Sequence, residues 1–81
     1  MLYVGWEDTG EVSAEAEGPW IELVVLRPGL LLIDSEATRS EVYHGLKGHL
    51  PPETPLLVAP VDGTPKFSQM AAGTTAWLRG R

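Results

Sequence analysis

The chain has no cysteine, one phenylalanine and two methionines among its 81 residues. Without cysteine there is no disulfide framework and no thiolate metal site. No apolar run approaches the roughly 20 residues that a membrane span needs. The chain does not open on a basic stretch followed by an apolar one. No signal peptide is therefore expected, and the reading is a soluble cytoplasmic protein with no membrane contact. Bases are missing from residues 1–22, which hold six acids: Glu7, Asp8, Glu11, Glu15, Glu17 and Glu22. Residues 23–81 hold five acids and six bases, so the net charge of −5 is concentrated at one end. An acidic surface repels phosphate backbones, which argues against nucleic acid as a partner and is compatible with a basic protein. Ordinary protection of an exposed edge accounts for the same acids.

Catalytic sets are also lacking. No Ser-His-Asp or Cys-His arrangement can be assembled from the spacing. The only histidines, His44 and His49, lie five residues apart, which on a helix turns them to different sides and prevents joint metal binding. Asp34 alone among the acids follows a buried-looking apolar run, and one carboxylate without a partner is poor acid–base machinery. No catalytic residue, cofactor or metal ligand is assigned, and the chain leans away from being an enzyme.

The chain does contain three apolar runs: Ile21 to Leu26, Leu30 to Ile33, and Leu56 to Val61. One small domain over 1–81 must build its core from them. A domain of this size buries only about 60% of the surface its unfolded chain exposes, and such chains often gain burial by associating. Met1 to Glu7 alternates with a period of two, with Leu2, Val4 and Trp6 on one side and Tyr3 and Gly5 on the other, which predicts a strand. Glu11 to Glu17 alternates again, with Val12, Ala14 and Ala16 opposite the acids. It reads as a second hairpin arm, with an acidic loop as the competing reading.

Pro28-Gly29 suits the centre of a type II turn and predicts a hairpin between the first two apolar runs. Ser35 or Thr38 can cap a following helix. Thr38 with Glu41 has the capping-box spacing, and Val42, Leu46 and Leu50 form its apolar stripe, with Pro51-Pro52 beyond it. Gly45 and Gly48 count against that helix, each by up to about 1 kcal/mol. Pro60 marks the last apolar run as an edge strand or a bulge. Thr64-Pro65 then reads as N-cap and first residue of a second helix. Phe67, Met70, Ala71, Thr74, Trp77 and Leu78 make its apolar face.

The expected fold is α+β, a mostly antiparallel sheet of four to five strands with two helices packed on one face. The expected order is β-β-β-β-α-β-α, or β-β-β-α-β-α if 11–17 is a loop.

Two leads bear on function. A sheet face left without cover makes Trp6 and Trp20 candidate interface anchors, since large aromatics at half-covered faces commonly hold partners. Ordinary core packing is the competing reading. The preferred expectation is a non-enzymatic interaction, regulatory or accessory domain, a homodimer through its sheet or a contact for another protein. The alternative is a small-ligand or enzymatic domain with an anion site at Gly63, Thr64 and Lys66. There, free N–H groups at a helix start and the Lys66 charge would favour a phosphate or carboxylate. Asp62 opposes that reading, and ordinary turn chemistry explains the segment without a ligand.

Overall fold

The computed structural model describes residues 1–80. The elements run β1 (Leu2–Glu7), β2 (Glu22–Arg27), β3 (Leu30–Asp34), α1 (Arg39–Lys47), β4 (Leu56–Pro60) and α2 (Thr74–Arg79). The strands form one antiparallel sheet in the order β2-β3-β1-β4. The first strand of the chain is therefore inserted between β3 and β4. Both of those run against β1 and hence parallel to each other, so α1 is the crossover that carries the chain over β1.

Local signals place these elements. Gly29 sits at φ +86 in the β2–β3 turn, a conformation open to glycine at little cost. Any Cβ there would meet the Glu7 carbonyl oxygen at 2.5 Å, so the turn can lie against β1. Thr38 caps α1 through the expected capping box: its hydroxyl accepts from Glu41 N–H at 3.2 Å, and the Glu41 carboxylate accepts from Thr38 N–H at 3.1 Å. The helix stops at Lys47, with Gly48 as its C-cap, ahead of Pro51-Pro52.

The run Leu30 to Ile33 sends apolar side chains to both faces of the sheet, so both faces need cover. On one face Tyr3, Leu23, Leu31 and Ile33 pack with Val42 and Leu46 of α1. On the other, Leu26 and Leu32 pack with Leu78 of α2, flanked by Phe67, Met70 and Trp77. The two helices therefore lie on opposite faces, and the expectation of both on one face is corrected.

Two further expectations change. Residues 11–17 are not a strand; they form an irregular strap over the α1 face, with Val12 buried and Ala16 half-buried. The sheet thus has four strands, in the shorter of the two expected orders. The second helix does not begin at Thr64-Pro65. Residues 64–73 are irregular, Gln69 has a positive φ of 58, and α2 starts only after Gly73. The cause is tertiary: the Ala71 N–H, which a helix would use internally, donates to the Leu26 carbonyl at 3.0 Å. Phe67 and Met70 still reach the sheet, as their spacing predicts, without a helix beneath them.

Candidate functional site: an open sheet edge and a basic cleft

The two outer strands differ in how they are finished. The β2 edge is closed. A bulge at Leu26 breaks its register, the Leu26 carbonyl is taken by Ala71, and Arg27 donates toward the Gln69 carbonyl at 3.5 Å. Glu22 at the start of β2 accepts from the Trp77 indole N–H at 3.1 Å. Charges, a bulge and an overlying segment are standard protection for an edge.

The β4 edge has none of these. Its residues, Leu56-Leu57-Val58-Ala59-Pro60, carry no charge. The ladder with β1 determines which backbone groups face outward. Asp8 N–H donates to the Pro55 carbonyl and Val61 N–H to the Leu2 carbonyl. Bonded pairs alternate along an antiparallel ladder, so positions 55, 57, 59 and 61 bond inward. Leu56, Val58 and Pro60 then present their backbone groups to the open side. Pro60 is the one of these with no N–H to leave unpaired.

Side chains frame this edge on both faces. Trp6 is 43% exposed and Leu57 54%, and they lie opposite each other in the β1–β4 register. On the α1 face a groove of about 690 Å³ runs between helix and edge, lined by Tyr43, Lys47, Leu50, Pro55 and Leu56 among others. The Lys47 ammonium sits 6.0 Å from the centre of the Tyr43 ring.

Trp20, the other candidate anchor, is half-buried against the α1-face core. Its indole N–H donates to the Ala16 carbonyl at 2.9 Å, so it fastens the strap. Its neighbour His49 also serves the strap, with Nε2 2.6 Å from the Glu17 carbonyl oxygen. His44 is exposed and meets Tyr43 edge-on at 5.2 Å between ring centres. Among the described residues, no group of three or more His, Cys, Asp or Glu side chains is placed to hold a metal ion.

Gly63, Thr64 and Lys66 are all exposed. With α2 beginning ten residues later, no helix start lies beside them, and that part of the anion argument falls away. Thr64 and Lys66 instead line a cleft of about 270 Å³ together with Pro65, Phe67, Thr75, Leu78 and Arg79. Gly63 turns the chain at φ +76 and is not among the lining residues. Arg79 reads in the sequence only as a basic residue of a last helical turn; the fold brings it into one cleft with Lys66.

Glu7, one of the six acids expected to keep an exposed edge soluble, is only 1% exposed. One carboxylate oxygen accepts from Thr9 N–H at 3.1 Å and from the Thr9 hydroxyl. The other is buried without a hydrogen-bond partner among the described residues. The period-two pattern of β1 contained the signal, since it puts Glu7 on the side of Tyr3 and Gly5. Comparison with known proteins finds no matching family model, no matching curated protein and no matching solved structure.

Proposed function

We propose that this chain is a non-enzymatic protein-contact domain that self-associates by pairing its β4 edge with that of a second copy. The observation that carries the reading is the asymmetry between the two sheet edges: β2 is bulged, charged and overlaid, whereas β4 is uncharged and open. Two antiparallel β4 strands centred on Val58 satisfy the free groups. The facing Val58 residues exchange bonds in both directions, and each Leu56 N–H donates to the partner's Pro60 carbonyl. Pro60 then costs no donor that the pairing needs.

The two-fold axis of such a pair is isologous, so one self-complementary patch suffices. It brings the Trp6–Leu57 patches of both copies side by side on one face and the Tyr43 grooves together on the other. Small domains commonly need such extra burial.

Light scattering on a sizing column tests this. The wild type is expected near twice 8.8 kDa, and Leu57→Lys, at an exposed position, is expected as a folded monomer. A wild-type monomer at high concentration, or an unchanged mass for Leu57→Lys, would overturn the proposal.

A further inference from the structure

The cleft beside α2 has a character that edge pairing does not use. Two of the chain's six bases, Lys66 and Arg79, line it, with the hydroxyl-bearing Thr64 and Thr75. No acid lines it among the described residues, although the protein as a whole carries a net charge of −5. Neither cation has a carboxylate within salt-bridge distance among those residues. Two cations that line one small cleft and have no carboxylate partner among the described residues raise the local affinity for an anion.

A second cavity of about 270 Å³ borders the same segment. Its walls are Val4, Leu26, Leu30, Leu32, Val61 and Met70, closed by Pro65, Lys66 and Phe67. Apart from the Lys66 side chain, every one of these residues is apolar. Pro65, Lys66 and Phe67 line both spaces. One segment thus borders both a basic cleft and an apolar cavity against the sheet.

We infer that this paired site binds a small amphipathic carboxylate, with its head between Lys66 and Arg79 and its hydrocarbon chain past Phe67 against Val4, Leu32 and Met70. The two halves select for different parts of such a molecule. Arg79 can take a carboxylate through two parallel N–H···O bonds, with Lys66 as a point charge beside it. The apolar half gains from each methylene it removes from water and offers nothing to a polar tail. The chain over the cavity, from Thr64 to Gly73, is irregular, so a ligand there displaces no helix.

Calorimetric titration with octanoate, acetate and octanol decides the matter. Octanoate is expected to bind measurably and raise the melting temperature. Acetate lacks the chain and octanol the charge, so both are expected to bind more weakly. Lys66→Ala and Arg79→Ala change exposed residues and should leave the fold intact by circular dichroism. Each is expected to weaken octanoate about tenfold, the scale of one charge-assisted bond. Filling the apolar half with Val61→Phe is expected to weaken octanoate while leaving acetate unchanged. Absence of octanoate binding, an equal response to acetate, or full binding by the Lys66→Ala/Arg79→Ala double variant would each overturn the inference.

Discussion

Pro19 packs against Gly45 so closely that a methyl group at position 45 would lie 2.6 Å from the Pro19 Cδ and 3.0 Å from the Trp20 ring. The glycine that weakens α1 as an isolated helix is the point at which the strap docks onto it. In an exposed helix, Gly→Ala stabilises by up to about 1 kcal/mol. Here the sign is expected to reverse. Gly45→Ala must push the Pro19-Trp20 pair outward, and overpacking of this kind costs about 1–3 kcal/mol. Urea unfolding followed by tryptophan fluorescence measures the midpoint. A variant more stable than wild type would show that the strap is not held against the helix in solution.

That contact also shows where reading the sequence stops. Strands and α1 are legible because their signals are local: alternation in β1, Pro28-Gly29 in the turn, Thr38 with Glu41 at the cap. The strap and the 64–73 segment are not. Val12 and Ala16 turn toward the core, but Ala14, the third residue their alternation puts on that side, is exposed, and the segment's anchors are distant groups. The Pro19 carbonyl accepts from the Ser35 hydroxyl, Ile21 N–H donates to the Asp34 carbonyl, and the Glu17 carbonyl meets His49. Likewise Phe67 and Met70 keep a helical spacing while Ala71 spends its N–H on Leu26. For the candidate sites, Trp6 and Lys66 can be picked out by residue type. The open β4 edge and the approach of Arg79 follow from the strand order and chain path, which no local pattern encodes.

The capping box of α1 makes a pH-dependent prediction. The Glu41 carboxyl is held below the usual glutamate value of 4.5, first by the Thr38 backbone N–H and then by the Thr38 hydroxyl. A group whose folded value is depressed contributes stability above its unfolded value and loses it as pH falls through the folded one. Glu41→Gln is therefore expected to be less stable than wild type near neutrality. The gap should narrow as pH drops below about 4.5. Thr38→Ala removes the acceptor for Glu41 N–H and is expected to cost about 1 kcal/mol at neutral pH. Thermal melts across an acid series read both effects. A Glu41→Gln gap that widens in acid would contradict the assignment.

Glu7 places a carboxylate in the core with one oxygen satisfied by Thr9 and the other unpartnered among the described residues. Glu7→Gln can keep an oxygen toward Thr9 and fills the same volume, but it puts amide N–H donors where the unpartnered oxygen lies, and is expected to lose less stability than Glu7→Ala. Glu7→Ala strips Thr9 of its acceptor and leaves a void, and is expected to lose about 1–3 kcal/mol. Denaturant midpoints at constant pH separate the two. Equal losses in both variants would mean that the contacts with Thr9 do not survive the change to an amide.

The geometry of β4 pairing makes a prediction that a general loss of stickiness would not. With Val58 opposite Val58 of the partner subunit, each Leu57 faces the partner's Ala59 as a non-hydrogen-bonded pair, the closer kind across an antiparallel ladder. Leu57→Lys alone places an ammonium against a methyl group in each of the two symmetric positions and is expected to give monomer. Adding Ala59→Glu puts a carboxylate opposite each ammonium. Cross-strand pairs of opposite charge contribute about 0.2–1 kcal/mol, and the symmetry doubles the number of pairs. The double variant is thus expected to regain the dimer mass at low salt and to lose it as salt screens the pairs. Ala59→Glu alone is expected to be monomeric. If the double variant stays monomeric while Leu57→Lys is also monomeric, the register centred on Val58 is wrong even where edge pairing holds. If both single variants remain dimeric, the contact lies elsewhere on the molecule.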